Sequence, residues 1–286
     1  MDDSVVLGIV TRNRAGLLKK AVQSAIAQKG VHVRIVVIDD GSTDETPDLP
    51  ASFPDVTWIR REKSGGYISA RNELMAMEDC NYFASLDDDA WFVGDDEIAL
   101  AMNFLNENHA VAAVGFDILS PDHPEPKQRS DPQPIATFIG CGHVLRLSAI
   151  RQVGCYELTP GSYGSEEKDL CLRLMDAGHQ VVRLPGVHVW HDKSLAARDA
   201  ILQHQSAICN DLVMTLRRTP ALILPIALLT KIYRHSKFSF RHGLMRPCLQ
   251  GFGVFFRSIP AVLRTRRPVH TATLRAFVRL ARASRD

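Results

Sequence analysis

The stretch "VRIVVIDD", residues 33–40, limits the possible folds more than any other part of the chain. A nearly unbroken β-branched run has no polar face to offer to water. It therefore reads as a strand covered on both sides, as in the interior of a parallel sheet. The run stops abruptly at Asp39–Asp40–Gly41–Ser42. A second run of the same kind, "SVVLGIV", occupies residues 4–10. Between the two, "NRAGLLKKAVQSAIAQ" puts Leu17, Leu18, Ala21, Val22, Ala25 and Ile26 on one helical face, with Gly30 as the expected stop. A weaker strand at 56–60, a helix near 67–78 and a strand "YFASL" at 82–86 follow. This order predicts an α/β fold, a mostly parallel twisted sheet flanked by helices.

In such sheets ligands bind beyond the carboxyl ends of the strands, and the chain concentrates its carboxylates there. "SLDDDAWF" (85–92) sets three aspartates directly after a buried strand. Alone, the triplet reads as an acidic turn. Beside Asp39 and Asp40, at one sheet edge, it becomes a candidate site for Mn²⁺ or Mg²⁺, which take carboxylate and phosphate oxygens. Farther along, the pattern predicts a helix at 95–108, a strand at 110–116 and a Pro-rich polar loop at 120–134. A strand pair or bent strand at 135–147, a short helix and turn at 148–156, a strand at 180–184 and the segment "VHVWHD" at 187–192 complete this part. A helix over 165–179 has Ser165 as its expected N-cap and Glu166, Glu167 and Asp169 in its first turn, where the helix dipole favours negative charge. Asp169 reads as structural. Late in this part, His191 offers an imidazole beside Trp190, and without a metal it reads as structural too.

The charge is split along the chain. Residues 1–192 hold 17 Lys and Arg against 29 Asp and Glu, whereas residues 193–286 hold 17 against 3. The expected division is therefore an acidic α/β part, 1–195, and a basic helical part, 196–286, broken by Pro220, Pro225, Pro247, Pro260 and Pro268. Interleaved Phe238, Phe240, Phe252, Phe255 and Phe256 suit an anionic membrane surface better than nucleic acid. Packing on the acidic part, or a homodimer, is the alternative. The longest apolar run, "ALILPIALL" (221–229), is about half the length a bilayer span needs. Six cysteines without CxxC spacing read as free thiols, and "Cys-Gly-His" at 141–143 lacks a partner pair for zinc. The first residues carry no signal-peptide pattern. The expected location is cytoplasmic, with peripheral attachment to the inner face of the membrane as its extension.

Seven segments in order resemble the family-2-type glycosyltransferases of GT-A fold. They are "TRNR" (11–14), "VVIDDGSTDET" (36–46), "GGYISARNE" (65–73), "SLDDDA" (85–90), "GCGHVLRLSAIRQVGCYE" (140–157), "SEEKDLCLRL" (165–174) and "VHVWH" (187–191). The resemblance implies a metal-dependent, inverting transfer of a sugar from a nucleotide-diphosphate donor to a hydroxyl of a glycan, lipid-linked or other acceptor. It assigns Thr11, Asn13, Asp40 and Arg71 to the nucleotide, Asp88 to the ribose and Asp87 to the donor-side turn. Asp89 and His191 fall to the metal, and the pair Glu166–Glu167 to the catalytic base, with Glu167 preferred. The family's usual Glu-Asp is here Glu-Glu, which leaves both carboxylates in play. A nucleotidyltransferase of similar fold would show a Gly-rich loop after the first strand, and "TRNRAG" has none. A non-catalytic binding module is the remaining alternative.

Overall fold

The computed structural model describes residues 4–77, 80–126, 130–194 and 199–283. The chain opens with strand β1 (Val5–Thr11), helix α1 (Ala15–Ile26), strand β2 (Val33–Asp39), a 3-10 turn at Thr46–Ser52 and strand β3 (Thr57–Arg60). Helix α2 (Tyr67–Met75), strands β4 (Tyr82–Asp87) and β5 (Ala90–Phe92), helix α3 (Glu97–Glu107) and strand β6 (Val111–Leu119) follow. Then come β7 (Gln133–Pro134), β8 (Gly142–Arg146), α4 (Leu147–Val153), α5 (Glu166–Asp176) and the long β9 (Gln180–His191). The C-terminal part is α6 (Ala200–Arg218), α7 (Leu224–Arg241), α8 (Met245–Arg264) and α9 (Thr271–Ala283).

The strands form one sheet in the order β3-β2-β1-β4-β8-β6-β9-β5, with β7 beside β9. The apolar runs earn their place by alternation. Val5, Leu7 and Ile9 face one core with Leu18 of α1 and Ile98 of α3. Val6, Val36 and Ile38 face the other with Leu74 of α2, Ile150 of α4 and Leu170 of α5. The parallel expectation holds for β3, β2, β1 and β4. Beyond β4 the sheet is mixed, because β8 runs antiparallel to both β4 and β6.

Several boundaries differ from the sequence reading. Helix α1 stops at Ile26, where the Ala27 amide already closes on the Gln23 carbonyl, so Gly30 lies in the link to β2 rather than at the cap. The region 135–147 is strand only at 142–146. Ile135, Ala136 and Phe138 are buried from an irregular segment instead. The expected strand at 180–184 runs on to His191 as one strand, β9. Ser165 precedes α5 in the left-handed region (φ 75°) and makes no side-chain cap, so the first-turn amides are not served by it. The expected division at 195/196 falls outside the described residues.

The basic part is bound firmly to the acidic part. Helices α6, α7 and α8 share a small core around Ile208, Leu212 and Phe255, and the glycine at 251 lets α8 approach α6. A Cβ there would lie 2.7 Å from the Gln205 carbonyl oxygen. Helix α9 folds back, burying Phe277 with α5. At the junction Arg218 donates from Nε to Asp169 Oδ1 (2.6 Å) and from Nη2 to Glu157 Oε1 (3.0 Å), while Arg173 also donates to Asp169. Burial pushes the Asp169 carboxyl up, but the hydrogen bonds and charge of Arg218 and Arg173 outweigh it and hold it below the ordinary carboxylate range. A depressed carboxylate stabilises the fold above its unfolded pKa, and that contribution is lost as pH falls through the depressed value.

Removing one partner leaves a buried charge underpaid, which costs about 3–5 kcal/mol. Arg218→Ala should therefore lower the free energy of unfolding by about that amount at neutral pH, read by urea denaturation. A loss below about 1 kcal/mol would show that this ion pair does not hold the junction.

Candidate active site

Parallel register gathers the polar residues at one edge. Thr11, the last residue of β1, sits opposite Asp39 of β2, and Val10 sits opposite Asp87 of β4. Just past these strand ends lies a cavity of about 760 Å³. Its sheet-edge wall includes Thr11, Asp40, Asp87 and Asp88, and its helical wall Tyr67, Glu166 and Glu167. The first turn of α6, with Leu202 and Gln203, closes it from the basic part.

The three aspartates take three directions. Asp88 is buried; it accepts from the Thr11 hydroxyl (2.8 Å) and from Arg14 Nη1 (2.8 Å). Burial pushes its carboxyl up to about 6, against the pull of Arg14 and with a further push from Asp89. Asp89 is fully buried, with Oδ2 accepting from the Ser194 amide (3.1 Å) and lying 3.3 Å from Arg14 Nη1. Its Oδ1 lies 3.2 Å from His191 Nε2. That contact follows from register: β5 pairs antiparallel with β9, and Ala90 sits opposite His191. Asp87 accepts from Arg71, which also donates to the Gly140 carbonyl (3.1 Å).

Ligand atoms of Asp87, Asp89 and His191 all lie within 4.8 Å of one another. Two hard carboxylate oxygens and one imidazole nitrogen, with a cavity alongside, fit Mg²⁺ or Mn²⁺. The charge balance fits as well. Asp87, Asp88, Asp89, Glu166 and Glu167 gather against two buried guanidinium groups, Arg14 and Arg71, so the carboxylates outnumber the cations buried with them.

The structure thus brings Asp89 and His191 together and adds Asp87, which the sequence reading gave to the donor-side turn. Asp88, given to the ribose, spends both oxygens on Thr11 and Arg14. Asp40 lines the cavity, yet its two oxygens accept from Arg61, Ser64, Gly65 and Gly66, so it fastens the 61–66 loop. Those donors hold its carboxyl below the ordinary range despite burial. The Asn13 side-chain oxygen accepts from the Thr43 amide (2.7 Å), and its backbone N–H donates to the Ser42 hydroxyl, securing the turn after β2. Arg71 is buried between Asp87 and Glu167, its charge upheld chiefly by Asp87 against the cost of burial.

Glu166 accepts from the Tyr67 hydroxyl, and its other oxygen is buried with no hydrogen-bond partner among the described residues. Glu167 meets Arg71 Nη1 at 3.6 Å, beyond hydrogen-bond reach. At Gly140 a Cβ would meet the Glu167 carboxylate, so a side chain there would displace that group. Burial, then the charge of Glu166, pushes the Glu167 carboxyl well above the ordinary range, and Arg71 only partly offsets this. Arg14 and Tyr67 carry no role in the sequence reading. Arg14 follows β1 opposite the triplet, and Tyr67 stands one helical turn before Arg71, so spacing held the signal for both.

The family profile described as "Glycosyl transferase family 2" matches residues 6–155, more than half of the chain. The chain belongs to glycosyl transferase family 2. Among curated members, it is 38% identical over 87 residues to the succinoglycan biosynthesis protein ExoO of Rhizobium meliloti (strain 1021), covering 30% of this chain and 25% of that protein. It is 28% identical over 215 residues to the pre-mycofactocin glycosyltransferase of Mycobacterium tuberculosis, covering 69% of this chain and 44% of that protein. The matched segments thus span less than half the length of these relatives. Among solved structures, S. aureus TarS 1-349 in complex with UDP-GlcNAc superposes with TM-score 0.64 at 13% identity, over 92% of this chain and 82% of that one. The mannosyltransferase PcManGT from Pyrobaculum calidifontis, in complex with GDP-Man and Mn2+, gives 0.60 at 15% identity, over 99% and 80%. At these identities the likeness is one of fold, the GT-A fold.

A carboxyl raised by its surroundings stabilises the fold below its unfolded pKa, and that contribution is lost as pH rises through the raised value. Glu167→Gln in the metal-free family-2 chain should therefore raise Tm above pH 6 or so and change little at acid pH. The gain is about 2–4 °C per kcal/mol relieved, followed by thermal melts across pH. An equal shift at every pH would place the effect elsewhere than in the charge.

Proposed function

We propose that the chain transfers a sugar from a nucleotide-diphosphate donor to an acceptor hydroxyl, with inversion and with the help of a divalent cation. The observation that carries this reading is a single cavity lined on one side by Asp87 and His191, which close on the buried Asp89 behind them, and on another by the raised carboxyl of Glu167. Asp87, Asp89 and His191 would hold the cation, Mn²⁺ or Mg²⁺. When bound, it supplies positive charge for the diphosphate as that group departs.

The rest falls to the chain's own residues. Thr11 and Asp40, at the strand ends, flank the space for the nucleoside. Asp88 fixes the Thr11 hydroxyl and Arg14, and Arg71 fixes Asp87 and the 138–141 segment. Glu167 takes the acceptor proton as the acceptor oxygen bonds to the anomeric carbon. The bond from that carbon to the diphosphate oxygen breaks in the same displacement, so the configuration inverts. A raised pKa suits a base that must also release its proton near neutrality. Glu166, held by Tyr67, keeps Glu167 raised rather than taking the proton itself. The neighbours carry different donors, UDP-GlcNAc and GDP-Man, so neither base nor sugar is chosen by fold. A glycan or a lipid-linked molecule is the acceptor class in view.

A panel of nucleotide sugars should yield one donor whose turnover requires Mn²⁺ or Mg²⁺. Glu167→Gln should lower kcat by about 10²–10⁴-fold with donor affinity little changed, and Asp89→Ala should abolish the metal-dependent turnover. Retained anomeric configuration in the product, by NMR, would overturn the single-displacement reading. Normal turnover in Asp89→Ala would overturn the metal assignment.

A further inference from the structure

Helices α7 and α8 are each pinned on one side and bare on the other. Leu224, Leu228 and Ile232 of α7 and Cys248, Phe255 and Val262 of α8 pack into the small core with α6. On the opposite face of α7, Ile226, Leu229, Tyr233 and Phe240 fall in one row by helical spacing, and Leu222 in the turn before the helix continues it. They are 67%, 67%, 63%, 78% and 98% exposed. Leu249, Phe256 and Leu263 make a second row at seven-residue intervals along α8, each more than half exposed. Single exposed apolar residues are common on soluble proteins, but rows of large ones mark a contact surface.

The flanks of both rows are basic. Arg246, Arg257 and Arg264 line one edge of the α8 row, and Lys237 and Arg241 lie beside the α7 row. All five are exposed, and none makes an ion pair with a carboxylate among the described residues. Arg246 and Arg257 also border an open groove of about 740 Å³ between α6 and α8, with Leu249 in its wall. Between Asp211 and Asp286 the sequence contains no Asp or Glu. An ordinary solvated helical face mixes both signs, and a symmetric dimer through these faces would bring arginine against arginine. Nucleic acid would use the arginines but leave the leucines and phenylalanines without a partner. No described helix is long and apolar enough to cross a membrane.

We infer that the outer faces of α7 and α8 dock on an anionic lipid bilayer, the apolar rows entering the interface and the arginines meeting the phosphates. The helices lie on the membrane. Because α6 both anchors them and closes the donor cavity with Leu202 and Gln203, docking holds that cavity at the membrane surface. The inference stands on α7 and α8 alone and does not depend on the donor chemistry.

The test is co-sedimentation of the full chain with vesicles of phosphatidylcholine, with and without phosphatidylglycerol. Binding should be about tenfold or more stronger with phosphatidylglycerol and should weaken with salt. The triple variant Ile226→Ser, Leu229→Ser, Phe240→Ser and the triple variant Arg246→Glu, Arg257→Glu, Arg264→Glu should each reduce it about tenfold or more. Both should melt at the parental temperature, since every altered side chain is exposed. Failure to pellet with either vesicle overturns the inference, as does equal binding to both. So does a dimer in light scattering that the serine variant abolishes, or salt-sensitive DNA binding without vesicle binding.

Discussion

Three consecutive carboxylates share one turn with two arginines from different elements between them. Arg14, just past β1, takes Asp88 and leans on Asp89, and Arg71, from α2, takes Asp87. Each guanidinium is nearly excluded from water, so each ion pair is weakly screened, and the aspartates are held apart instead of repelling into solvent. Much else depends on this arrangement. It leaves ligand atoms of Asp87 and Asp89 close to His191, commits Asp88 to Thr11, and brings the Arg71 charge to 3.6 Å from Glu167. The acidic pair on α5 and the acidic triplet after β4 thus belong to one electrostatic unit with a shared basic hinge.

Much of the fold was legible because burial on both faces writes itself into composition. "SVVLGIV" and "VRIVVID" had to be interior strands, and they are. The carboxylates were legible as a group for the same reason, since a polar cluster that ends such a run can only lie at the sheet edge. Their individual directions were not. Alternation tells which way a residue points only inside a regular strand, and β4 ends at Asp87. Whether Asp87 or Asp88 joins Asp89 and His191 depends on the turn that follows and on Arg14, which is distant in sequence. Strand β5 was hidden because three residues carry no period, although its pairing with β9 is what delivers His191.

Helix ends were the other blind spot. Ser165 has the composition of a cap, but the chain arrives through Gly164 with φ 95° and Ser165 itself has φ 75°. In that backbone its hydroxyl serves no first-turn amide. Lys193, two residues past His191, is also left-handed, at φ 52°. Strained non-glycine residues persist where the surroundings over-determine them, and here they flank Glu166 and His191. The division by charge was legible and its meaning was not. The basic helices are joined to the acidic part through Arg218 and Asp169 and through α9 on α5.

The pairing of Ala90 with His191 separates geometry from chain length. About a hundred residues lie between Asp89 and His191, yet their contact is set by the ladder between two strands. Loops within that interval can lengthen or shorten at a modest cost in closure entropy without moving either ligand. A slip of one residue in the ladder, by contrast, would turn the imidazole to the opposite face of the sheet. The loops of the interval are open to revision in length, and the three-residue ladder is not.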